Sequence, residues 1–180
     1  MTAQAHIKLG RQTALISFLL GTGIFWLYFL TSFAVFLFLG YCFIVLAGLV
    51  NIIIFICILL KANQDRENSR TLLMTCGIML LNIPAMLFYC WAGCILLDTM
   101  RITFTNSTQF TLTDINIAGC ENKHIDKLEK GCSKTVWVNI PGNCSISINY
   151  MSNGQRKVED VEGYVTHSMG EITSHNILGN

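Results

Sequence analysis

Eight cysteines and four histidines are the residues of greatest chemical reach in this 180-residue chain, and their spacing decides what they can do. Met86, Cys90 and Cys94 recur every fourth residue. On a helix they share one face, which would offer soft sulfur donors to Cu(I). They also lie in an apolar run, where methionine and cysteine serve as adaptable hydrophobic fillers. Filler is the expected role, there and at Cys42, Cys57 and Cys76. His167 and His175 stand eight residues apart, wider than the local spacing of zinc ligands, and read as surface residues. No local motif joins His124, His167 or His175 to a cysteine as nucleophile and base. Nor do paired carboxylates or a phosphate-cradling loop stand out. These residues predict no catalytic group, no cofactor and no metal, so the chain is not expected to be an enzyme.

A structural role for cysteine remains open. Cys120, Cys132 and Cys144 lie in the polar C-terminal part. Three cysteines allow one disulfide with one thiol left over, and an oxidising exterior would permit it. Cys120–Cys144 is the candidate pair. Asn106-Ser-Thr and Asn143-Cys-Ser match the glycan acceptor pattern, which matters only in a eukaryotic secretory route.

The elements that must carry these residues differ between the two halves. Charged residues make up 13% of the chain, about half the proportion usual in soluble domains. The deficit is confined to the first half: Gln12 to Leu60 and Thr71 to Leu97 contain no Asp, Glu, Lys, Arg or His. A bilayer crossing takes about 20 apolar residues. The first run therefore holds two spans, near 12–30 and 33–60, turning at Thr31-Ser32 or alternatively at Gly40-Tyr41. A third span covers 71–97, and 61–70 is a polar loop. A cleaved signal peptide fits poorly, because the apolar stretch is much longer than a signal core. Lys8, Arg11, Lys61, Arg66 and Arg70 share one side of such a three-span anchor, against Arg101 on the other. The positive-inside rule puts the N-terminus and the 61–70 loop in the cytoplasm and the C-terminal domain in the periplasm or extracellular space.

Within the spans, Asn51 and Asn82 are the strongest polar residues. Without a charged partner they read as interhelical hydrogen bonds rather than a transport site. Pro84 removes a backbone donor and crowds the carbonyl of Leu80, so the third helix should kink. Trp26 and Tyr28 fit an aromatic belt at headgroup depth, while Tyr89 and Trp91 sit deep enough to pack against another helix.

From residue 101 to 180 the pattern changes to alternation of apolar and polar residues. Ile102/Phe104, Ile115/Ile117, Val136/Val138/Ile140 and Ile146/Ile148/Tyr150 mark strands, with others near 155–160, 162–167 and 171–177. Glu129-Lys-Gly131, Pro141-Gly142 and Ser152-Asn153-Gly154 mark turns, and Asn-Gly between two alternating runs is a strong hairpin signal. About seven short strands predict an all-β antiparallel sandwich. Trp137, opposite Val136 and Val138, is either packed or a possible interaction anchor.

Leu128-Glu-Lys-Gly-Cys-Ser-Lys-Thr-Val-Trp-Val138 resembles the turn-and-strand signature of bacterial immunoglobulin-like modules, and Arg101–Asn106 resembles their opening strand. The resemblance covers the last 80 residues or so and implies an immunoglobulin-like β-sandwich. Three spans plus such a module resemble small bacterial envelope membrane proteins. The domain holds seven Lys/Arg against eight Asp/Glu, which offers no basic field for nucleic acid. The expected function is a membrane-anchored, non-enzymatic binding or structural module, with the bilayer and another protein as partners. The alternatives are a subunit of an oligomeric channel or transport assembly, with a homo-oligomer among the arrangements open to it, or a membrane immunity protein.

Overall fold

The computed structural model describes residues 2–179. The chain divides into two compact units, residues 1–93 and 94–180. The first is helical: α1 (Ala3–Thr31), α2 (Ala34–Gln64), α3 (Ser69–Leu80) and most of α4 (Asn82–Leu97). α1, α2 and the α3–α4 pair make three segments long and apolar enough to cross a membrane.

The turn between α1 and α2 falls at the first of the two expected sites. Ser32 takes a left-handed conformation (φ 54°), and its N–H reaches back to Tyr28 O at 2.8 Å. Gly40 and Tyr41 lie inside α2. Both helices run further than the apolar runs that revealed them. α1 begins at Ala3, capped by Thr2 Oγ1 accepting from the Ala5 amide. α2 continues to Gln64, so the 61–70 loop contracts to residues 65–68. A cation near a helix C-terminus is favourable, and Lys61 sits in that last turn. Asp65 then takes the Asn68 amide at 3.2 Å and turns the chain.

The third segment, Ser69–Leu97, carries a one-residue interruption. Leu81 separates α3 from α4. Pro84 denies Leu80 its i+4 donor, and the Leu81 amide instead reaches Ile78 O at 3.2 Å. Ala3, Ala14, Ala62, Ile58, Leu72, Cys76 and Met79 form the buried core of this unit. Its three alanines are small enough to let apolar helices approach closely. Gly10 marks the tightest point: a Cβ there would lie 2.5 Å from Ile58 Cδ1 and 2.8 Å from Thr75 Cγ2.

The second unit holds β1 (Thr99–Asn106), β2 (Leu112–Ala118), β3 (Lys123–Leu128), β4 (Ser133–Asn139), β5 (Cys144–Ser152), β6 (Gln155–Val165) and β7 (Ile172–Ile177). They form a three-stranded sheet, β4-β1-β7, and a four-stranded sheet, β3-β2-β5-β6. The buried faces share one core, with Met100, Ile102, Phe104 and Val138 from the first sheet and Ile115, Ile117, Ile148 and Tyr150 from the second. Two expectations need correction. β1 and β7 pair in parallel, so the strands are not antiparallel throughout; their link passes through five strands of the chain rather than a hairpin. The segments near 155–160 and 162–167 are one long strand, and β3 supplies the seventh. The Asn153-Gly154 hairpin does form, with φ of 49° and 74°, the two positive values that a two-residue hairpin turn uses.

Candidate functional site

The polar residues expected between helices are engaged within the helical unit. Asn51 Nδ2 donates to Ser17 Oγ at 2.8 Å and Ala47 O at 2.7 Å; its Oδ1 is buried without a hydrogen-bond partner among the described residues. Asn82 Nδ2 donates to Ala14 O at 3.0 Å, a carbonyl of α1 rather than one freed by Pro84. Sequence reading missed a third link: Thr22 Oγ1 and Tyr89 OH are 2.7 Å apart, and the Tyr89 ring stacks on Phe25. Tyr89 thus packs on a neighbouring helix, as its depth implied. Tyr28 is buried and does not join an exposed belt, whereas Trp26 and Trp91 are exposed.

In the β unit Cys120 and Cys144 are disulfide-bonded, with Cα atoms 5.2 Å apart. The approach depends on the residue before. Gly119 has φ +118°, and a Cβ there would lie 1.7 Å from Ser145 O. Cys132 is exposed and carries a free thiol. Asn106 is a structural residue, not an accessible acceptor. Fully buried, it donates to Phe110 O and Leu128 O and accepts from the Thr108 amide and hydroxyl.

Three polar groupings are candidates for function. The first is a collar around the last turn of α4, which belongs to the β unit. The Gly170 amide donates to Leu97 O at 2.7 Å, and the Ile140 amide to Asp98 O at 2.8 Å. Asp98 Oδ1 accepts from the Ser168 amide at 3.0 Å, with His167 Nδ1 at 3.3 Å. The Ser168 amide, more than His167, holds the Asp98 carboxyl below its ordinary range. Thr99 Oγ1 donates back to Ile95 O. Gly170 is required, because a Cβ would lie 2.3 Å from Leu96 O.

The second grouping is the outer face of the four-stranded sheet. Register places His124, Asn116, Asn149 and Val158 in one row across all four strands. His124 Nδ1 lies 2.8 Å from Asn116 Oδ1, and Asn116 Nδ2 donates towards Asn149 Oδ1 at 3.4 Å. Asp114, in a left-handed conformation at an irregularity of the ladder, pairs with Arg156 at 2.8 Å. This is a wide platform of donors and acceptors with an exposed Val158 at one end.

The third grouping ties down the end of the chain. Glu159 accepts from Tyr150 OH and from the Gly179 amide, and His175 Nε2 lies 3.2 Å away. Lys157 donates to Gly179 O. Burial pushes the Glu159 carboxyl up, but the bonds from Tyr150, Gly179 and His175 outweigh it and hold the group below the ordinary value. The same burial, with the Glu159 charge, pushes the Tyr150 phenol strongly up. These residues satisfy one another and tie β5, β6 and β7 to residue 179. Among the described residues no cluster of three or more His, Cys, Asp or Glu is placed to hold a metal.

No protein-family model matches the chain, and no curated protein does. A solved NMR structure of a protein from Eubacterium rectale is similar over 46% of this chain and 80% of its own, at 16% identity and a TM-score of 0.38. A likeness that slight carries no argument about fold or function.

Proposed function

We propose that this is a membrane-anchored, non-enzymatic binding or structural module that presents its two-sheet β unit outside the cytoplasm. The carrying observation is the collar. A last helical turn hydrogen-bonded into the β unit at Gly170, Ile140 and Thr99 suits a mount that holds a surface for a partner. The exterior placement draws on two supports. The cations Lys8, Arg11, Lys61, Arg66 and Arg70 gather on the side opposite the β unit. The Cys120–Cys144 disulfide is a feature of oxidising compartments.

The partner is a protein, and the face that suits it is the polar platform rather than a sheet edge. β6 is an edge strand, but it carries Arg156, Lys157, Glu159, Asp160 and Glu162 and two register irregularities, features that discourage strand addition. The immunoglobulin-like reading keeps its support in the Leu128–Val138 signature and the shared core. Strand order counts against it: the immunoglobulin pattern pairs the first strand with the second, whereas β1 pairs with β4 and β7. A channel subunit is the weaker reading, since Asn51 and Asn82 bond within the bundle.

A photocrosslinking residue at Asp126, beside the platform, and another at Thr135, on the opposite sheet, test the idea in cells. A discrete protein adduct from position 126 and none from 135 is expected. No adduct from either would remove the binding role. Topology is tested with Glu67→Cys and Lys130→Cys, after replacing the six free cysteines. Only position 130 should react with an impermeant maleimide added from outside; labelling of both would overturn the exterior placement.

A further inference from the structure

The outer face of the four-stranded sheet holds one histidine whose two ring nitrogens both meet acceptors. His124 and Asp126 flank the buried Ile125 on β3, so both face outward, because successive strand residues alternate. Register sets Asn116 of β2 beside His124, and Asn149 of β5 beside Asn116. The Asn116 amide is fixed in one orientation. Its Nδ2 faces three oxygens: Asp114 O at 3.1 Å, Asp114 Oδ1 at 3.0 Å and Asn149 Oδ1 at 3.4 Å. Turned over, the amide would set its own oxygen against all three, with no donor among them. Asn116 Oδ1 is therefore the atom that His124 Nδ1 meets at 2.8 Å. An amide oxygen only accepts, so Nδ1 must carry a proton.

Nε2, on the other side of the ring, lies 3.2 Å from Asp126 Oδ1. A carboxylate also only accepts, so this contact needs a second proton. The imidazolium donates from both nitrogens, whereas a neutral ring keeps one proton, and Asn116 claims that one. Neutral His124 then turns a bare Nε2 lone pair towards Asp126: two acceptors with no donor between them. The other charges near the ring do not fill this gap. Asp114 Oδ1 is 3.9 Å from Nδ1, and its second oxygen is held by Arg156 of β6 at 2.8 Å. Lys123 and Lys127, on β3 itself, pair with Glu121 and Glu129, each at 2.8 Å. β5 offers this row Asn149, which does not titrate. Among the described residues Asp126 has no ion pair besides His124.

We infer that His124 and Asp126 form a proton-gated clamp for an arginine side chain of a protein partner. Protonated, the ring occupies Asp126 itself and the clamp is closed. Neutral, it leaves Nε2 and the carboxylate to accept together from one guanidinium. Charge selects the occupant: Arg156 compensates Asp114, the Asp126 carboxylate is left over, and a cation complements it. Arginine suits two acceptors side by side, since its planar fork presents paired N–H donors. Both side chains of the clamp are exposed, and an exposed pair contributes little to stability. The proton therefore acts on what the surface offers, not on whether the unit folds. For its partner being a protein, the inference rests on the platform reading proposed above.

The test uses the full chain in phosphatidylcholine nanodiscs, with NMR of isotope-labelled histidine ring nitrogens. The His124 signals are those absent from His124→Gln. The pH is taken from about 5 to about 8, the range in which histidine ordinarily changes charge. Nδ1 of His124 should keep its proton throughout, and Nε2 alone should lose one. Asn116→Leu should free the Nδ1 proton, so that the neutral ring is seen with Nε2–H. A neutral native ring protonated at Nε2 would overturn the inference. N-acetylarginine amide is the probe for the clamp. At the higher pH it should shift the Nε2 signal saturably. At the lower pH, and in Asp126→Asn at the higher, it should bind at least about threefold more weakly, the loss of one charge-assisted contact at an exposed site. A photocrosslinking residue at Ser147, on the same face, leaves the clamp intact and reports on the platform by itself. If it yields a protein adduct in cells but the probe ignores pH and Asp126, this inference alone falls. If the probe behaves as expected and no adduct forms, the platform reading falls, and the partner with it, while the clamp stands.

Discussion

Glu159 ties the folding of the β unit to pH in a definite direction. Its folded-state pKa is lowered, so the native state favours the charged form. The stabilisation is fully present above the ordinary glutamate value, about 4.3, and is lost as pH falls through the lower folded value. Glu159→Gln should destabilise the unit at neutral pH and should flatten the acid-side decline of stability. It should not abolish it, because Asp98 and Glu121 are lowered as well. Hydrogen exchange at the β7 amides, followed against pH in both proteins, reads the difference. Gly119 gives a second residue-scale expectation. With φ +118° and the Ser145 carbonyl in the space of a Cβ, Gly119→Ala should cost about 1–3 kcal/mol in strain, seen as a lower unfolding midpoint. Little of this was legible in the sequence. Cys120–Cys144 could be named because three cysteines leave few pairings, but Glu159 bonds Gly179, Asn106 bonds Leu128 and Gly119 packs on Ser145, each 20 or more residues away, and no local pattern records those.

At the scale of elements, hydropathy located the helices long and apolar enough to cross a membrane, because a run without charges is visible by itself. It missed the true helix ends, since Thr2 capping and the Lys61–Asp65 turn are polar features outside the apolar window. Pro84 was readable because its effect is local and steric. The break it causes makes a clear expectation: Pro84→Ala restores a donor for Leu80 O, and α3 and α4 should join through Leu81. Slower amide exchange at residues 81–84 would show it. Gly10 offers the converse. A leucine there has no room between Ile58 and Thr75, so Gly10→Leu should part α1 from α2 and α3, measured as a loss of crosslinking between cysteines placed at Ala14 and Ile58. In the β unit, alternation revealed the strands buried on one face. β3 escaped because its burial does not alternate: Ile125 and Leu128 are buried, with two exposed residues between them. The parallel β1–β7 pair was invisible for another reason, as pairing between distant strands leaves no trace in either strand's own pattern.

For the whole molecule, the division into an apolar helical part and a β unit was already plain in the distribution of charge, and the structure adds how the last turn of α4, itself part of the β unit, runs into β1. A single residue, Asp98, separates α4 from β1, and it is held on both sides, through its carbonyl by Ile140 and through its carboxylate by Ser168. Within the β unit the last turn of α4 and the start of β1 are therefore one piece: a flexible leash of n residues would span about 5–6 Å × √n, and none separates them. A pull along that turn would load the hydrogen bonds of β1 at once, with no slack to take up first.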